Sequence, residues 1–182
     1  MKTVTEQLAN YACYHRNRKN IATHLIGIPL IVVALLTLLS RPLLFSVAGL
    51  AVTPALLVSI AAVVYYVRLD RGLGLLMAVL LALALWAAAE FAGLTTAAWL
   101  SWGIGLFIVG WVWQFVGHYF EGRKPAFVDD IIGLAIGPLF VVAEVVFMLG
   151  LRRSLRHDVE DRVAVLMTEV EQNPDQAASA SD

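Results

Sequence analysis

Hydrophobic residues gather into five long runs, at 25–40, 43–67, 73–94, 97–117 and 131–151, with short charged clusters between them. A bilayer core about 30 Å thick takes roughly 20 apolar residues as helix. The first four runs are therefore predicted to be membrane-spanning helices, the first of them short and the second kinked at Pro54. Tyr65, Tyr66, Trp99, Trp102, Trp111 and Trp113 lie near run ends, as an interfacial aromatic belt requires.

The fifth run is long enough to cross as well, and the cations decide how to read it. Cytoplasmic loops of membrane proteins are enriched in Lys and Arg. With four spans and a cytoplasmic N-terminus, twelve of the 13 Lys and Arg fall inside and Arg41 alone falls outside. A fifth crossing would move Arg152, Arg153, Arg156 and Arg162 out as well, leaving eight against five. The run also carries Gly137-Pro138 and Glu144, and a carboxylate in mid-membrane is expensive. It is predicted to be re-entrant or buried against the bundle, broken at Gly137-Pro138. The expected fold is all-α: a polytopic membrane helix bundle with four spans and this fifth segment.

Composition agrees, with 60% hydrophobic and 15% charged residues, far from the soluble norm of about 45–50% and 25%. Residues 1–24 are too polar and too long for a signal-peptide leader, so the N-terminus is expected to be retained. Residues 25–160 form the expected bundle, and 161–182 read as a polar, disordered tail. The single Cys13 forms no internal disulfide. Phosphate-binding loops, zinc fingers and serine-nucleophile elbows are absent, and no nucleic-acid partner is expected.

Chemistry concentrates in the four histidines. The four-span topology puts His15, His24, His118 and His157 on one side, at the apolar–water boundary. His15 and His24 are nine residues apart and face opposite ways on a continuous helix. They point at one centre only if the helix breaks between them, for which Asn17 and Asn20 are candidates. Trp111, Gln114, His118 and Glu121 form an inward stripe at i, i+3, i+7 and i+10. Neutral imidazole suits Fe, Zn, Cu or Ni, and a ligating His hands its second nitrogen to a carboxylate or carbonyl. Asn20, Gln114, Glu121 and Asp158 are candidates for such support, as are Asp129 and Asp130. The competing reading makes each histidine an interfacial surface residue, and Arg16, Arg18, Lys19, Arg123 and Lys124 plain anchors on anionic lipid. Glu90 sits near a span end, and Asp70 reads as an ion-paired loop residue between Arg68 and Arg71.

The stretches YHRNRKNIATHLIGIPLI, WVWQFVGHYFEGRKPAFVDDIIGLAIGPLFVVAE and LRHDVE resemble the fungal and bacterial membrane 2-hydroxy fatty acid dioxygenases. The resemblance runs from about Tyr11 to Glu160, carried by His15, Asn17, Asn20 and His24, by Gln-Phe-x-Gly-His at 114–118, and by Lys124-Pro-Ala. The middle spans match only in hydrophobicity. The resemblance implies Fe(II) held by His15, His24, His118 and His157, with a carboxylate ligand still open. It implies a 2-hydroxy fatty acid and O2 as substrates and a product one carbon shorter, with Arg123 or Lys124 near the substrate carboxylate. It also implies a multi-pass protein of the bacterial inner membrane or the endoplasmic reticulum, and the cation count puts the histidine face on the cytoplasmic side. The residues alone leave two other readings. One is a non-catalytic carrier or sensor of a metal ion or lipid, with Glu144 and Gly137-Pro138 lining its path. The other is bis-histidine haem binding, for which no C-x-x-C-H is present.

Overall fold

The computed structural model describes residues 2–122 and 132–172, apart from the side chains of 50, 170 and 171. Arg123, Lys124, Asp129, Asp130 and the last ten residues therefore lie outside the described residues. The helices are α1 (Val4–Cys13), α2 (Arg18–Ser40), α3 (Pro54–Leu69), α4 (Arg71–Ala92), α5 (Thr96–Glu121), α6 (Ile132–Met148) and α7 (Arg153–Gln172). A hairpin of β1 (Phe45–Val47) and β2 (Leu50–Val52) precedes α3. The chain is an all-α membrane helix bundle. Two compact units are present, residues 1–22 with 116–182 and residues 23–115, and the dividing lines fall inside α2 and α5, each of which is continuous.

In the unit of residues 23–115, α2 and α5 run antiparallel and come close through glycine. A Cβ on Gly110 would stand 2.9 Å from the Gly27 carbonyl and 2.7 Å from Ile31. Further along, the Trp99 indole donates to the Thr37 carbonyl at 2.8 Å, and the Arg41 guanidinium sits 4.8 Å over the Trp99 ring. The one cation expected outside thus has an aromatic partner.

The run 43–67 is not one span kinked at Pro54. Pro54 opens α3 at its first turn, where its missing N–H costs nothing, and Thr53 caps the helix by accepting the Leu56 N–H at 3.3 Å. Upstream, Phe45–Val47 pairs antiparallel with Leu50–Val52 around Ala48 and Gly49, both at positive φ, the two-residue turn that matches strand twist. At 16 residues, α3 is only about 24 Å long. Among the described residues, helices α2, α4 and α5 alone are long and apolar enough to cross a membrane singly.

Asp70 is a hinge and a cap. Its backbone N–H closes α3 on the Tyr66 carbonyl at 2.9 Å, and its carboxylate accepts the Leu73 N–H at 2.8 Å to open α4. A single residue thus joins two helices, and Gly74 lets them meet, since a Cβ there would stand 2.5 Å from the Val67 backbone.

In the other unit, Thr3 and Glu6 form a capping box at the start of α1. Leu8 and Tyr11 of α1 are buried with Ile136, Leu139, Phe140 and Phe147 of α6 and Leu155 and Val159 of α7. The expected break at Gly137-Pro138 does not occur: α6 runs through Pro138. The chain turns later, at Gly150 and Arg152, both at positive φ, and α7 leaves at 120° to α6. Glu144 is half-buried on α6. Helix α7 extends through 161 to Gln172.

Candidate metal centre

A break in the first helical segment creates the site. Helix α1 ends at Cys13, α2 starts at Arg18, and His15 lies in the short link between them. Asn17 caps α2, its side-chain oxygen accepting the Lys19 N–H at 2.9 Å and its carbonyl accepting the Ile21 N–H at 3.0 Å. Asn20 does not break the helix; it lies inside α2, wholly buried. His24 follows one turn later on the same face, as the spacing required.

The break is anchored to the last turn of α5. The Glu121 carboxylate accepts the backbone N–H of Arg16 at 3.1 Å and of Asn17 at 2.9 Å, and the Asn20 carboxamide N–H at 2.9 Å. The Asn17 carboxamide donates to the Phe120 carbonyl at 2.8 Å, and the Lys19 ammonium stands 5.1 Å over the Phe120 ring. His118 sits one turn before Glu121 and His15 one residue before Arg16, so this knot fixes the two imidazoles against each other. Their ring centroids are 5.2 Å apart, in a T-shaped arrangement.

The His15 ring is oriented from its other side. Its Nδ1 donates to the Tyr11 carbonyl at 2.8 Å; a carbonyl only accepts, so Nδ1 carries the proton and Nε2 presents the lone pair. The Tyr11 ring stacks on it at 4.1 Å and 3°, and Phe140 closes in at 5.8 Å. Burial pushes the His15 pKa down to about 4 against the Tyr11 bond and the Glu121 charge, which raise it; the neighbouring His118 lowers it further. The imidazole is neutral at physiological pH, and no proton need leave before a metal binds.

One ring nitrogen from each of His15, His24 and His118 lies within 4.8 Å of the others, and all three residues are buried. Three nitrogens about 2.1 Å from one ion stand roughly 3–3.6 Å apart, so a small closing movement of the rings brings the trio to ligating geometry. Buried and close, these imidazole nitrogens fit a divalent transition metal.

His157 is not brought to this group. It is exposed on α7, its Nε2 3.6 Å from Asp161, and Asp158 beside it is exposed too. Gln114 and Trp111 lie on the stripe as expected, Gln114 buried and Trp111 half-buried. Asn17 was expected only as a helix break, and Tyr11 and Phe140 were not singled out as site residues. Of these only Tyr11, four residues before His15, carried a spacing signal.

The model of the family described as 2-hydroxy-palmitic acid dioxygenase Mpo1-like matches residues 1–149. The chain belongs to this family. A curated relative, the 2-hydroxy-palmitic acid dioxygenase MPO1 of Saccharomyces cerevisiae, is 36% identical over 160 residues, covering 85% of this chain and 88% of the yeast protein. No solved structure matches. The Mpo1-like match takes in His15, His24 and His118 and stops before His157, dividing the four histidines as the geometry does.

Proposed function

We propose that this protein is an Fe(II)-dependent dioxygenase that converts 2-hydroxy fatty acids to the acid one carbon shorter, with His15, His24 and His118 holding the iron. The buried cluster of three imidazoles carries the reading, and the yeast relative supplies the substrate class. Stoichiometry balances when the 2-hydroxy acid and O2 give the shortened acid, CO2 and water. Bound iron supplies the redox chemistry that O2 needs to react with a closed-shell organic acid.

The chain's own residues prepare that chemistry. The Tyr11 carbonyl holds the His15 tautomer that aims Nε2 inward, and the Tyr11 and Phe140 rings cover the His15 imidazole. Glu121 keeps the peptide after His15 in place beside the turn that carries His118. The acyl chain lies among the apolar helices, with its head at the depth of the histidines. The cation count supports a cytoplasmic orientation of this face, and Arg123 and Lys124 are proposed to draw the substrate carboxylate toward it. His157, exposed on α7, is not included in the proposed ligand set.

Iron-loaded protein in detergent is expected to consume O2 and shorten 2-hydroxypalmitate by one carbon. If it leaves a panel of 2-hydroxy acids untouched while the yeast enzyme turns them over in the same assay, the proposal fails.

A further inference from the structure

Gln114 is a buried amide on the helix that carries His118. It is 6% exposed, and its Nε2 has no hydrogen-bond partner among the described residues. Leaving a desolvated amide unsatisfied costs free energy that an apolar side chain of similar volume would not. The fold nevertheless makes room for it. A Cβ on Gly27 would stand 2.5 Å from Gln114 Nε2 and 2.8 Å from the Gly110 carbonyl, so the amide occupies a recess that exists only because residue 27 is glycine. That recess is next to the histidines along both helices. Gly27 follows His24 by three residues in α2, and Gln114 precedes His118 by four in α5. Each interval is about one turn, roughly 4.5–6 Å along the axis. Both lead in the same direction, toward the apolar interior of their spans and away from the polar ends.

From this placement we propose that Gln114 is a substrate-binding residue whose Nε2–H donates to a carboxylate oxygen of the 2-hydroxy fatty acid. The inference rests on the function proposed above. A carboxylate entering an apolar layer must exchange its water for fixed donors, and a hydrogen bond to a charged acceptor is the stronger kind. Gln114 meets that need without adding charge. In its absence the acid, but not a neutral ester, loses affinity.

The test uses zinc-loaded full-length protein in detergent, because zinc occupies imidazole sites and is redox-inert, so binding is read without turnover. Equilibrium binding of 2-hydroxypalmitate and of its methyl ester is measured for wild type, Gln114→Leu and Gln114→Glu, with zinc content and ligand-free melting midpoint. Acid binding is expected to weaken tenfold or more in Gln114→Leu and further in Gln114→Glu, where two carboxylates oppose each other. Ester binding and zinc content stay the same, and the ligand-free midpoint of Gln114→Leu equals or exceeds that of wild type. Wild-type affinity for the acid in either variant overturns the proposal, as does an equal loss for acid and ester. If Gln114→Leu does not fold, Gln114→Glu, nearly identical in shape, decides alone. Wild type that holds zinc but binds no acid removes the proposed function and this inference together. Wild type that binds the acid while the variants match it removes this inference only.

Discussion

At the scale of single residues, the centre depends on side chains of unequal kind. His24→Ala and His118→Ala are each expected to lose metal on elemental analysis while still inserting into membranes, whereas His157→Ala retains full metal content. Glu121→Ala removes a charged acceptor from three donors, each such bond being worth about 1.5–3 kcal/mol. It is expected to lower the melting midpoint by several degrees and metal affinity about tenfold or more, read by competition with a chelator. His15 gives a pH signature. Its folded pKa near 4 lies below the ordinary 6.5, so the unfolded chain takes up a proton first as pH falls. Metal-free protein keeps this stability above about pH 6.5 and loses up to about 1.4 kcal/mol per unit between there and pH 4, with no further loss below. Melting midpoints across that range should fall for wild type and stay flatter for His15→Phe. The three cluster histidines were legible because histidine is rare here and the stripe around His118 has helical spacing. The partners of Glu121 were not, because they are largely backbone N–H groups, which every residue has and no pattern marks.

Among the elements, the break between α1 and α2 was anticipated from the facing of His15 and His24, and Asn17 supplies it by capping α2 rather than by weakening a helix. Proline was misread twice for one reason. A hydropathy run shows that proline is present but not whether the helix has already begun. Pro54 falls at the first turn of α3, where it belongs, and Pro138 falls inside α6, where packing of Ile136, Leu139 and Phe140 holds the helix through it. The hairpin was hidden in the same run, since Leu43, Leu44, Phe45 and Val47 are as apolar as any span and all are exposed. Asp70 shows what ion-pair reasoning overlooks: its carboxylate is bound to a helix start. Asp70→Ala should cost about 1 kcal/mol in a denaturation of the purified protein, by loss of the cap. Gly74→Ala should cost more, because the new methyl meets the Val67 backbone and not a side chain that can swing away.

For the whole molecule, hydropathy and cation counting were enough to recognise a multi-pass helical membrane protein. They could not place the 120° turn after α6, which depends on left-handed backbone at Gly150 and Arg152. The cytoplasmic-face proposal makes a topological prediction: reporters fused before α1 and after α7 should both read out in the cytoplasm. A reporter after α7 on the opposite side would make the α6–α7 pair a crossing and overturn the four-span count.

The knot at Glu121 also sets an order of events in the making of the protein. Its donors at Arg16, Asn17 and Asn20 precede it by 101–105 positions, so they leave the ribosome first and wait. At about 5–20 residues per second, that interval lasts roughly 5–20 seconds, during which spans are inserted and His15 has no fixed neighbour on α5. On the proposed function, the three-histidine site is not complete until α5 has been made. A nascent chain halted before its fifth helix is expected to emerge without metal on elemental analysis, which under the proposed function makes metal uptake a mark of fully inserted copies.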